Sequence, residues 1–199
     1  FLPLNSAYTP AELAYFVADS GAALLVCDPV AADRLRPVAD AAGSRLRTLA
    51  ADGSGSLSEL AASQSPGFDP VDRKPDDLAA LLYTSGTTGR SKGAMLTQAN
   101  LLSNAETLVD AWRFTSDDVL LHALPIFHTH GLFVATNVVL LAGGSMIFLP
   151  KFDLDGSRNG VVCGGMKRGI VVAERSNNFL GFEAKRTRIF CLDPKQAFE

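Results

Sequence analysis

The sequence predicts an α/β fold: a largely parallel sheet with helices on both faces. Three observations carry that expectation. Residues 22–27, 78–83, 119–123 and 145–149 are short, nearly continuous apolar runs, the pattern of strands buried on both faces. Residues 98–112 and 132–142 have the length and apolar spacing of helices that cover a sheet. The two kinds of segment also alternate along the chain, which is the order a parallel sheet requires.

Element by element, Thr9-Pro10-Ala11-Glu12 is a capping box with Pro at the first helical position, so a helix starts there. Residues 22–27 (AALLVC) form the first strand. Residues 30–42 read as helix, with Pro37 expected to kink or end it. Residues 45–49 are the next strand. Residues 54–77 turn polar and rich in Ser, Asp and Pro, apart from a helical patch at 57–62, and read as a surface connection between two units. The strand at 78–83 leads into a glycine-rich loop at 84–93. The helix at 98–112 follows, with Leu101, Leu102, Ala105, Leu108, Val109 and Trp112 on one face. A strand at 119–123, a mostly buried helix at 132–142 and a strand at 145–149 complete the pattern.

After about Asp153 the character changes. Basic residues outnumber acidic ones, alanine thins out and no clear period survives. The favoured expectation is a shifted reading frame; a genuine variable extension is the other. Gly156, Ser157, Asn159 and Gly160 make a helix at that point costly, since each Gly costs about 1 kcal/mol relative to Ala. Residues 156–199 are therefore expected to pack poorly.

Composition narrows the function classes. The 199 residues, 47% of them hydrophobic, suffice for one domain with a sizeable core or for two small lobes. A formal charge of -3 points to neither nucleic acid nor an anionic membrane. The longest apolar run, 131–143, is too short for a membrane span and is interrupted by Thr136 and Asn137. No basic and apolar leader opens the sequence, and its first residue is Phe1, so the native start is expected to be missing. The 3 cysteines, Cys27, Cys163 and Cys191, have neither metal-type spacing nor the even count of a disulfide framework, which fits a reducing cytoplasm.

The chemistry concentrates in Tyr83-Thr84-Ser85-Gly86-Thr87-Thr88-Gly89-Arg90-Ser91-Lys92-Gly93. Glycines let backbone N–H groups approach a ligand, hydroxyls donate to phosphate oxygens or reach a Mg²⁺ ion, and Lys92 supplies a point charge. Such a set directly after a strand reads as a phosphate cradle rather than an ordinary flexible turn. It is not a Walker A loop, because Gly rather than Ser or Thr follows the lysine.

YTSGTTGRSKGAMLTQANL resembles the signature loop of the adenylate-forming superfamily, which includes acyl- and aryl-CoA synthetases, luciferases and peptide-synthetase adenylation domains. Ser91 stands where that pattern usually has Pro. The resemblance runs from Phe1 to about Asp153, and the segments FLPLNSAYTPAEL, WRFTSDDVLLHALPIFHTHGLF and GSMIFLPKFD are most similar to malonyl-CoA synthetases. It implies that residues 1–153 are a partial AMP-binding domain, with 154–199 a divergent tail. It also implies an acid–thiol ligase with ATP, Mg²⁺ and coenzyme A, taking malonate or a similar small carboxylic acid. Thr84, Ser85, Gly86, Thr87, Thr88, Gly89 and Lys92 would hold the β- and γ-phosphates of ATP. Thr88 and His130 would be the catalytic residues.

His122, His128 and His130 are the chain's only histidines and lie within one short stretch. A metal site is one reading, although no Cys is near and Asp117 and Asp118 would have to complete the shell. The preferred reading makes His122 a satisfied core imidazole. The resemblance of PIFHTHGLF to the motif lining the acyl pocket puts His130, then His128, beside the carboxylate being activated. An extended loop would place both on one face. The superfamily's adenine, ribose and C-terminal lysine motifs do not occur in these residues, which implies that this chain alone is inactive. A nucleotide-binding remnant of a broken gene and a histidine metal module are the rival readings.

Overall fold

The computed structural model describes residues 1–84, 91–149, 169–174 and 187–192. The chain divides into two compact units, Phe1–Lys74 with Ala80–Met95 and Pro75–Ala79 with Leu96–Glu199.

In the first unit, helix α1 (Pro10–Ser20) starts on the predicted capping box. The Glu12 amide donates to Thr9 Oγ1 at 3.3 Å, and the Thr9 amide donates to Glu12 Oε2 at 2.8 Å. Gly21, at φ 61°, ends the helix in the left-handed conformation that glycine adopts without strain. Leu13, Phe16 and Val17 recur at helical spacing and are buried. Strands β1 (Leu24–Cys27) and β2 (Arg45–Thr48) pair in parallel, with Leu25 opposite Leu46. Helix α2 (Ala32–Ala41) connects them. Pro37 lies inside α2 and does not end it. Burial of Leu35 and Ala39 in the core with Leu13, Val17 and Leu25 offsets the backbone bond that the proline ring removes. Helix α3 (Ser56–Ala62) interrupts the polar connection as expected.

Strand β3 (Leu78–Thr84) pairs with a strand the sequence reading did not assign, β4 (Lys92–Thr97). The link between them is far shorter than the crossover of about a dozen residues that a parallel pair needs, so the two form a hairpin.

In the second unit, α4 (Gln98–Trp112) occupies the predicted span. The donors at its N-terminus are satisfied one by one: Gln98 N by the Asp77 carbonyl at 3.0 Å, Ala99 N by the Pro75 carbonyl at 2.9 Å, and Asn100 N by Thr97 Oγ1 at 3.2 Å. A parallel sheet follows in the order β6-β5-β7-β8, made of β5 (Val119–His122), β6 (Ser145–Phe148), β7 (Gly169–Glu174) and β8 (Thr187–Leu192). Leu120 pairs with Met146 on one side and Ile170 on the other. Leu120, Val138, Val139, Ala135 and Phe114 form this unit's core. The predicted helix at 132–142 is resolved into a π-helical segment, His130–Thr136, continued by α5 (Asn137–Ala142).

Strands β7 and β8 differ from the expectation for the tail. GIVVAE and TRIFCL are short runs of strand-forming residues, and both add to the sheet that β5 begins. The composition shift that made the tail look patternless is carried mostly by the residues around these runs. The glycine-rich stretch at 156–160 lies outside the described residues.

Candidate functional site

Strands β3 and β4 flank the expected phosphate cradle. Thr84 ends β3 and Lys92 opens β4, both exposed; Ser85, Gly86, Thr87, Thr88 and Gly89 lie outside the described residues. Both flanks of the segment meet α1. Tyr83 Oη donates to Asp19 Oδ2 at 2.6 Å, and Tyr15 Oη donates to the Ser91 carbonyl at 3.0 Å. The Tyr83 ring packs on Phe16 with centroids 4.4 Å apart and meets Tyr15 edge-on at 5.8 Å. Gly93 lies against the same ring, where an added Cβ would sit 3.3 Å from the nearest ring carbon. Burial first, and then the hydrogen bond to the Asp19 carboxylate, push the Tyr83 phenol well above its ordinary value, so it stays a donor.

The histidines separate into two environments. His122, at the end of β5, is 1% exposed and stacks on Phe148 with centroids 4.7 Å apart. Its Nε2 lies 2.8 Å from the Gly131 carbonyl and 3.2 Å from Thr136 Oγ1, while the Thr136 hydroxyl donates to that same carbonyl at 2.9 Å. This is the satisfied core imidazole the sequence reading preferred. A carbonyl acceptor requires the proton on Nε2.

His128 and His130 come together, though not through an extended strand. The chain turns at Pro125, whose carbonyl accepts from His128 N at 3.2 Å, and then enters the π-helical segment. The two rings stack at 9° with centroids 5.5 Å apart, and their Nδ1 atoms are 3.4 Å apart. Which Nδ1 donates at that contact is set by the tautomers of the two rings. His128 is exposed and His130 half-buried. Among the described residues no three His, Cys, Asp or Glu side chains converge as metal ligands would, and no helix is long and apolar enough to cross a membrane.

Sequence reasoning missed Tyr15 and Asp19. They stand 76 and 64 positions from their partners, and nothing local marks them.

The sequence profile of the AMP-binding enzyme family matches residues 1–167, past the point near Asp153 where the resemblance was expected to stop. A malonate–CoA ligase of Arabidopsis thaliana is 34% identical over 157 residues, covering 78% of this chain and 26% of that protein. A feruloyl-CoA synthase of an Amycolatopsis species is 40% identical over 153 residues, 77% of this chain and 29% of its own. MatB of Rhodopseudomonas palustris, solved with ATP bound, is similar with a TM-score of 0.79 and 56% identity, covering 86% of this chain and 33% of that one. The chain thus spans about a quarter of the length of the curated relatives it matches. With the family profile covering most of the sequence and the α/β architecture shared with a solved relative, the chain belongs to the AMP-binding enzyme family.

Proposed function

We propose that this chain is the ATP-phosphate-holding part of an AMP-forming acid–CoA ligase that acts on malonate or a similar small carboxylic acid. The observation that carries the reading is the glycine- and hydroxyl-rich segment between β3 and β4, in a chain 56% identical to an ATP-bound relative. In this reaction a carboxylate oxygen attacks the α-phosphorus of ATP, giving an acyl-adenylate and releasing pyrophosphate. The thiolate of coenzyme A then attacks the acyl carbon, and AMP leaves with its bonding pair.

The segment's role is to meet the negative charge that grows on the departing pyrophosphate. Backbone N–H groups at Gly86 and Gly89, the hydroxyls of Thr84, Ser85, Thr87 and Thr88, and the Lys92 ammonium are donors of the right kind. Thr84 and Lys92 stand exposed at the two strand ends, open to a ligand. The same hydroxyls are hard oxygen donors suited to Mg²⁺, which when bound would add positive charge beside the phosphates. His130, with His128 stacked on it, is assigned to the carboxylate: an imidazole N–H there orients the attacking oxygen without having to act as a base. Contacts to adenine, ribose and thiol are left to other parts of such an enzyme.

The choice of acid rests on the malonate–CoA ligase relative, 34% identical over 157 residues. An aryl-acid relative at 40% identity means that much of this segment is common to ligases for different acids.

A ligase carrying this segment, given ATP, Mg²⁺, coenzyme A and a panel of malonate, methylmalonate, acetate and ferulate, should make malonyl-CoA with AMP and pyrophosphate. ADP and phosphate as products would refute adenylation, and ferulate as the best acid would overturn the substrate. Lys92→Ala and Thr88→Ala should lower malonate-dependent ATP–pyrophosphate exchange about tenfold or more, as loss of about 1.5–3 kcal/mol per charged contact implies, with the KM for coenzyme A unchanged.

A further inference from the structure

We propose that Tyr15 and Asp19 of α1 are positioning residues for the phosphate-holding segment, fixing the chain at both of its ends and so setting its grip on phosphate. The proposal rests on the phosphate reading above, to which it adds two residues from a distant part of the sequence.

Tyr15 and Asp19 are one helical turn apart, so they share a face of α1. From that face Tyr15 donates to the Ser91 carbonyl and Asp19 accepts from Tyr83, on opposite sides of residues 84–90. The attachments reinforce each other. Phe16, buried on the adjoining face of α1, carries the Tyr83 ring at 4.4 Å, while Tyr15 closes on its edge. Gly93 leaves room for that ring on the β4 side, so the Tyr83 phenol reaches Asp19 with no side chain in the way. Neither hydrogen bond is needed to form a strand: one ends on a carbonyl just before β4, the other on a side chain near the end of β3. What they do is hold two points of the chain to one rigid helix. A chain segment tied at both ends has fewer conformations to lose on binding a ligand.

The full 199-residue chain serves for the test, with Mg–ATP as probe. Tyr15→Phe keeps the ring packing and removes only the O–H. Asp19→Ala removes the acceptor, and Asp19→Asn keeps a neutral one. The Mg–ATP dissociation constant should rise about fivefold in Tyr15→Phe and in Asp19→Ala, the effect of losing one ordinary hydrogen bond, and recover most of that in Asp19→Asn. In parallel, amide exchange at Lys92 and Gly93 should quicken in Tyr15→Phe while amides of β1 and β2 keep their rates. Unchanged affinity in Tyr15→Phe and Asp19→Ala, or an Asp19→Asn variant no better than Asp19→Ala, overturns the proposal. If the unsubstituted chain does not bind Mg–ATP, the phosphate reading fails for this chain on its own. The anchor then stands or falls on exchange alone, and unchanged rates at Lys92 and Gly93 overturn it.

Discussion

Gly131 sits where no side chain fits. A Cβ there would run into the Pro125 carbonyl oxygen, lie 2.9 Å from that carbonyl's carbon and come within 3.2 Å of Leu124 Cβ. The obstacles are largely backbone and cannot swing aside, while the glycine's own carbonyl is held by His122 and Thr136. Gly131→Ala should therefore destabilise the chain by about 1–3 kcal/mol, the usual cost of overpacking. Gly67→Ala, with nothing within 4 Å of the new methyl, should leave the urea midpoint near its original value. Equal midpoints for the two variants would contradict the packing around Gly131. The sequence made this corner partly legible: His128 and His130 were paired as neighbours, and His122 was assigned to the core. The route was not legible, because apolar spacing over a few residues does not distinguish a π-helical turn from an α-helical one, and a turn at Pro125 replaces the extended loop that strand alternation suggested. Tyr15 and Asp19 were beyond reach for a different reason: what they touch is decided by tertiary packing, and helical spacing reports only which face of α1 they share.

At the scale of elements, the sequence speaks most clearly where the side chain that shapes an element is local. Thr9 and Glu12 announce α1, and the reciprocal pair of bonds is present in the structure. At α4 the structure holds a second such reciprocal pair, Thr97 with Asn100, which the sequence reading did not use. Strand β4 was missed because its first residues, Lys92 and Gly93, belong by chemistry to the glycine-rich segment, and because its first four residues, through Met95, are exposed, which leaves no in–out alternation to read. The α1 cap also has a pH signature. Hydrogen bonds from the Thr9 side chain and then its backbone hold the Glu12 carboxyl below its ordinary value of 4.5. A carboxylate whose folded value is depressed contributes stability that is complete above the unfolded value and is lost as pH falls through the folded one. Thr9→Ala should lower the urea midpoint at neutral pH, as loss of an N-cap does, and the gap to the unsubstituted chain should narrow as pH falls below 4.5. Urea midpoints measured at neutral and acid pH check this; a gap that is constant or widens toward acid would contradict the cap's ionic part.

At the scale of the whole chain, the second unit is organised around β5. It pairs with β6 on one side and β7 on the other, so its backbone groups are engaged along both edges, and β7 in turn carries β8. Alternating strand and helix in the sequence was enough to predict the parallel sheet. It was not enough to show that the sheet continues past Asp153, since runs as short as GIVVAE and TRIFCL acquire meaning only from the strand they meet. Their pairing gives the tail a structural consequence that can be measured. Val171 is opposite Leu121 on β5 and Ile189 on β8, an interior position of an interior strand. Proline there removes a ladder donor and does not fit a central strand, whatever the side chain touches. Val171→Pro should therefore unpair β7 from its neighbours and expose the edge of β5, lowering the unfolding midpoint and raising the tendency to aggregate, as an uncovered strand edge favours. Amide exchange should quicken at Leu120 and Leu121, far in sequence from the substitution, while the β1–β2 pair of the first unit keeps its protection. If exchange in β5 and the unfolding midpoint both stay as they were, β7 contributes nothing to the sheet, and the tail is the poorly packed segment its composition suggested.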